Sequence, residues 1–194
     1  MFLFLLLFGI APGFLFRAGF LSAYERRAVE VQTSDITTQA RLLATQIATN
    51  DYLKVLQDPY FLLSEGSAES DPQSISVQLD QMSTIYDGRI LLIDNTFTIV
   101  KDTYQIDEGR VILSEDVIHA HRGEMMQTYD NEYNYIEVII PIVDPDTTDV
   151  LGEMLVSVST DSIELNLLYL RQWALLLQFL LGVVVVVVSF AISG

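Results

Sequence analysis

The chain has 194 residues, a net charge of −16 at pH 7 from 26 acidic and 10 basic side chains, and no cysteine. So negative a balance repels the phosphate backbone and excludes nucleic acid as a partner. Without cysteine there is no disulfide framework, thiolate metal site or cysteine nucleophile.

Met1 to Leu21 is apolar apart from Arg17 and the small residues Gly9 and Gly13, with Pro12 in the middle. A cleaved signal peptide is the competing reading of such a segment. No basic residue precedes the run and no small-x-small cleavage site follows it directly, so an uncleaved transmembrane helix is expected over residues 1–21, with Arg17 snorkelling to the interface. All 26 acidic residues lie between Glu25 and Arg171, with enough chain there for one domain and its core.

Residues 22–57 contain neither proline nor glycine and predict one long amphipathic helix. Val29, Ile36 and Leu43 recur every seven residues, with Thr33, Ala40 and Ile47 in a parallel row, so a narrow apolar stripe runs along a polar rod. Two uses of that stripe stay open: packing on the chain's own domain, or pairing with a second copy to make a homodimer. Asp58–Pro59 ends the helix, and the Ser, Gly, Glu and Pro between Ser64 and Ser76 predict a loop. Gln73 to Tyr86 predicts a second helix carrying Ile75, Leu79, Met82 and Ile85.

After the Asp87–Gly88 turn the period changes. Arg89–Asp94 and Phe97–Lys101 predict a hairpin of two strands. Ser114 to Arg122 predicts a short helix, capped by Ser114, with Glu115 and Asp116 in its first turn and Gly123 as its stop. Strands are then expected at Met125–Tyr129, Tyr133–Val143 and Val150–Ser159. The fold class is α+β: a long N-terminal helix, then an antiparallel sheet of about five strands with helices against it.

Asp161 can cap the last helix, which runs through residues 161–172 without glycine or proline into the apolar stretch 173–193. That stretch includes six consecutive valines, Val183 to Val188, and no charge. Roughly 20 such residues cross a hydrocarbon core of about 30 Å, so a second transmembrane helix is expected. The sequence closes at Gly194, directly after it, so an effector is expected downstream.

At this point the chain resembles the extracytoplasmic PAS-like (single Cache, or PDC-type) sensor domains of bacterial sensor histidine kinases. The resemblance is carried by Arg89–Asp94 with its following strand, the helix ending at Gly123, Val138–Ile142 and Gly152–Val158, in a sensor core over residues 58–160. It implies a homodimer in a lipid membrane, two-pass, with residues 22–172 outside the cytoplasm, sensing a small extracellular ligand or protein partner. It also implies signalling through the second transmembrane helix to a cytoplasmic kinase. Arg26, Arg27 and Arg171 nominally favour the opposite orientation, but the positive-inside rule applies to loops shorter than about 60 residues. The family's first hairpin often reads Asp-x-x-Gly; here the fourth position is Phe97. In PAS-like folds the ligand lies on the concave face of the sheet, which makes Arg89, Tyr104, Tyr129, Tyr135 and Glu137 the candidate ligand-binding residues. The same module also serves chemoreceptors and cyclic-dinucleotide enzymes, and a non-signalling envelope interaction domain is a further alternative.

No catalytic constellation is present: there is no Gly-rich phosphate loop, His-Glu-x-x-His or Gly-x-Ser-x-Gly. His119 and His121 stand two apart on a predicted helix and point to different faces, a poor metal pair. They read as surface histidines, with pH sensing as the sharper alternative. Asp144, Asp146 and Asp149 in one turn, with Asp130 and Glu132 in another, offer oxygen ligands for a divalent cation, free or bridging to anionic lipid headgroups. The same residues also suit an ordinary solvated turn.

Overall fold

The structure, a computed structural model, describes residues 2–57 and 72–193, and the side chains of residues 19–57 and 73–187 except 164, 181 and 185. The elements in chain order are α1 (Phe2–Thr49), α2 (Tyr52–Gln57), α3 (Pro72–Tyr86), β1 (Gly88–Asp94), β2 (Ile99–Asp102), α4 (Glu115–His121), β3 (Met126–Asp130), β4 (Tyr135–Val143), β5 (Val150–Ser159) and α5 (Asp161–Ser193). The expected Asp58–Pro59 break and most of the Ser64–Ser76 loop lie outside the described residues. Two compact units emerge: residues 32–160, and residues 1–31 with 161–194.

In the first unit the strands form one antiparallel sheet in the order β2-β1-β5-β4-β3. β5 sits in the middle because its Gly152–Val156 stretch can be buried on both faces, as its burial shows. Strand periodicity then sorts the side chains into rows. On one face Leu91, Leu155, Ile139 and Met126 lie side by side across four strands, and Val117 and Ala120 of α4 close over them. On the other face lie Ile90, Leu92, Ile136, Val138, Ile140, Met154, Val156 and Val158, all buried. α1 and α3 supply buried rows of their own, Ile36, Ala40, Leu43, Ala44 and Ile47 from one and Ile75, Leu79 and Met82 from the other. The Gln127 amide on β3 donates to Thr37 Oγ1 of α1 at 2.8 Å, which ties that helix to this face.

Several expectations are altered. The long helix does not reach Gln57; it breaks at Asn50–Asp51, where Asp51 takes φ 50°. Aspartate tolerates the left-handed region better than most side chains, so no proline or glycine is needed. The break lets Tyr52 and Leu53 bury in α2. Val29, Ile36 and Leu43, the expected dimer stripe, are buried within the single chain at 8%, 0% and 5% exposure. Ile85 is exposed and not part of the α3 core row. Tyr133 falls in the turn before β4 and not in the strand.

In the second unit, α5 runs 33 residues without a break. Among the described residues one stretch, Asp161–Val184, is long and apolar enough to cross a membrane. α1 includes residues 2–21, but the side chains of residues 1–18, on which the first expected membrane helix rests, lie outside those described.

Candidate functional site

A second row crosses the α4 face beside the apolar one: Arg89, Ser157, Glu137 and Thr128, paired in register from β1 to β3. Tyr135 follows Glu137 on the same face, opposite Asp130 and Ser159. This polar band under α4 is the candidate site. It unites Arg89, Tyr135 and Glu137 from the sequence reading. It does not include Tyr129, whose partner is Ile136 on the opposite face and whose hydroxyl donates to Asn131 at 3.2 Å. Tyr104 stands in the segment after β2 and is 49% exposed. Ser157 and Thr128 were not legible as site residues, because only the strand register brings them into the band.

Arg89 is already engaged. Its Nε donates to Asp102 Oδ1 at 3.0 Å, and its Nη2 donates to Asp102 Oδ2 and Asp107 Oδ2, each at 2.6 Å. Asp102 is fully buried and also accepts the backbone N–H groups of Tyr104, Ile106 and Asp107. One carboxylate therefore folds the whole segment after β2 around itself. Although burial opposes ionisation, Arg89 and these backbone donors hold the Asp102 carboxyl far below the usual carboxylate range, while the Asp102 hydrogen bond pushes the Arg89 guanidinium up. Two carboxylates around one guanidinium leave no spare positive charge for an anionic ligand.

Glu137 has the opposite environment. Its half-buried carboxyl forms no hydrogen bond or ion pair among the described residues, and burial raises its pKa, with Asp116 in the first turn of α4 adding to the rise. Asp116 is placed there by the helix start that the sequence predicts: Ser114 Oγ accepts the Val117 N–H at 3.2 Å, and Gly123, at φ 88°, closes the other end. The band thus carries unmatched negative potential and suits a positively charged group.

At its other end α4 meets a second acid. Glu153 on β5, between Ile93 and Pro141, is fully buried, and its Oε1 lies 2.7 Å from Nδ1 of His121. The sequence reading of His121 as a free surface histidine is corrected by this bond; His119 lies 2.9 Å from the exposed Glu124. Glu153 itself was missed. Its signal was available, since a lone acid inside Val150–Val158, an otherwise apolar strand, has to find a partner.

The hairpin turn before β2 is built by Asp94. Its Oδ1 accepts from the backbone N–H groups of Thr96 and Thr98 and from the Thr96 hydroxyl, and its Oδ2 from the Gln57 amide. Phe97 takes φ 63°, the left-handed conformation that glycine adopts freely in this position of the family's hairpin. The Phe97 ring packs on the apolar cluster under α4.

The acidic turn after β4 is internally satisfied. Asp144 Oδ1 accepts from the N–H groups of Asp146 and Thr147, which lowers the Asp144 pKa, and the Asp144 N–H bonds the Asp149 carbonyl. Among the described residues no group of three or more His, Asp or Glu is arranged to hold a metal ion. A cavity of about 520 Å³ runs along α5, but Leu175, Gly182, Val183 and Val186 make its wall almost wholly apolar, unlike the band on the sheet.

No protein-family model and no curated protein sequence matches the chain. Among solved structures, an extracellular ligand binding receptor from Desulfohalobium retbaense superposes with a TM-score of 0.50 at 18% identity, over 73% of this chain and 24% of that one. The chain therefore spans about a quarter of that receptor's length. The E. coli DcuS sensor domain gives 0.48 at 16% identity, over 69% of this chain and 96% of that one. The sensor domain of the V. cholerae histidine kinase DctB gives 0.41 at 14%, over 71% and 57%. The long first helix, the five-stranded antiparallel sheet and the helix over one sheet face agree with the resemblance read from the residues: the chain carries the PAS-like fold of extracellular sensor domains.

Proposed function

We propose that this chain is a membrane-anchored extracytoplasmic sensor module. It binds a small ligand on the α4 face of the sheet and passes the bound state through α5 to a cytoplasmic effector, a histidine kinase. Its partners are then the lipid membrane, a second copy of the chain and a small ligand with a positively charged group. The observation that carries the reading is the polar band itself: Glu137, half-buried and unpaired, lies beside Asp116 while Arg89 is neutralised by Asp102 and Asp107. An ammonium group bonded to Glu137 would recover the cost of burying that carboxyl. Chain continuity supplies the route, because only Thr160 separates β5, the sheet's central strand, from the 33 residues of α5.

The test is ligand-induced thermal stabilisation of the full chain in lipid nanodiscs, screened with amino acids, amines and dicarboxylates. Amine-bearing compounds are expected to raise the melting temperature, and Glu137→Gln is expected to weaken their binding about 10- to 100-fold, the worth of one hydrogen bond to a charged group. Stabilisation by carboxylates alone, or binding that Glu137→Gln leaves intact, would remove the ligand from this band.

A further inference from the structure

We propose that His121 and Glu153 form a proton-binding site that fastens the last turn of α4 to β5. The site stands on its own contacts and does not depend on the ligand reading. Glu153 is fully buried, one carboxylate oxygen meets the His121 ring at 2.7 Å, and the other, Oε2, is buried with no hydrogen-bond partner. The Phe97 ring lies against the imidazole with centroids 4.9 Å apart and planes at 53°. Phe97 holds this position from a left-handed backbone that bulky residues rarely adopt.

A buried carboxylate with one oxygen unanswered is costly in water's absence. One proton shared by the pair removes the net charge, whether it rests on the imidazole or on the carboxyl group, so the proton belongs to the pair. Around Glu153 the charged groups are His121 from α4 and Asp94 from β1; its neighbour on β4 is Pro141. Asp94 is kept ionised by its four hydrogen bonds, which hold its pKa down against burial. Loss of the shared proton therefore leaves a second buried negative charge near the first, and among the described residues no lysine or arginine pairs with Glu153. The proton leaves to solvent from the imidazole, whose side chain is 34% exposed.

Burial pushes the Glu153 carboxyl up, His121 offsets part of this, and Asp94 adds to it. A group whose pKa is higher in the folded than in the unfolded chain stabilises the fold below its unfolded value and loses that stabilisation as pH rises through the folded value. The fastening of α4 accordingly weakens as pH rises. Because Asp116 faces Glu137 from the first turn of the same helix, the proton at one end of α4 and the acidic band at the other share one movable element.

Amide hydrogen exchange of Val117–Gly123 in the full chain in nanodiscs, corrected for the intrinsic pH dependence of exchange, tests this. Protection is expected to fall several-fold as pH rises from the ordinary carboxylate value of about 4 to about 9, the direction that the raised Glu153 pKa requires, and Glu153→Gln is expected to abolish that dependence. Constant protection in the unmodified chain, or the same dependence in Glu153→Gln, overturns the proposal. Where Glu153→Gln fails to fold, the unmodified chain decides by NMR. The Glu153 carboxyl carbon is expected to titrate above the ordinary carboxylate range, and a titration within or below that range overturns it.

Discussion

Removing the Asp102 carboxylate strands Arg89 beside a buried, emptied socket and frees three backbone N–H groups at once. Asp102→Ala is therefore expected to cost about 3 kcal/mol, the lower end for breaking a buried pair, because Arg89 retains 26% exposure through which water can answer it. Chemical denaturation of the full chain in detergent measures this. Its pH dependence has a fixed sign. The Asp102 pKa is depressed by folding, so its stabilisation is complete above the unfolded carboxylate value of about 3.9 and is lost as pH falls below that. Glu153 has the opposite sign, since burial raises its pKa. Two buried acids on one sheet thus push stability in opposite directions, and the acid limb of the unfolding curve is expected to shrink in Asp102→Ala, Asp94 and Asp144 keeping the rest, while the alkaline one stays. The Glu153 role had a signal in the sequence, a lone acid in an apolar strand, but the Asp102 role had none. Asp102 reads as one more turn aspartate until the segment from Tyr104 to Asp107 is seen wrapped around it.

At the scale of elements, the β1–β5 pairing depends on a close approach at one point. A Cβ on Gly152 would overlap the Ile93 carbonyl oxygen and press on Leu53 of α2 at 3.1 Å. The obstructing atom at Ile93 is backbone and cannot rotate away. Gly152→Ala is expected to destabilise the sheet unit by about 2–3 kcal/mol, the upper range for overpacking, while leaving the helical content of α5 unchanged. Circular dichroism followed during thermal unfolding separates the two. The elements themselves were largely legible: α3, α4 with its Ser114 cap, and all five strands fall within two residues of their predicted bounds. The failures are local and share a cause. The α1–α2 break at Asp51 uses a left-handed aspartate, and the hairpin turn uses a left-handed Phe97. Both are conformations that no residue-type rule assigns and that surrounding contacts impose.

For the whole molecule, a rigid route from β5 to α5 requires that helix to stay unbroken. Inserting Gly-Gly after Leu168 adds about 2 kcal/mol of helix-breaking propensity at an exposed site and shifts the register of everything beyond. Sensing by the sheet unit is expected to persist while output from an attached effector stops following it. A reporter fusion read with and without ligand measures this, and output that still tracks the ligand rules out rigid transmission.

The amino-acid sequence by itself determined the class of the fold, the extent of nearly every element and the apolar stretch at the C-terminal end. Those follow from periodicity, caps and unbroken hydrophobic length, which act between near neighbours in the chain. Tertiary structure decided which side chains share a surface. Strand register aligned Arg89, Ser157, Glu137 and Thr128 in one band and turned Tyr129 to the opposite face. It also buried the Ile36–Leu43 stripe of α1 within the chain, and set His121 against Glu153, 32 residues apart. A one-residue slip between strands exchanges the two faces of a sheet, so the membership of a site built on a sheet is settled only by the paired strands.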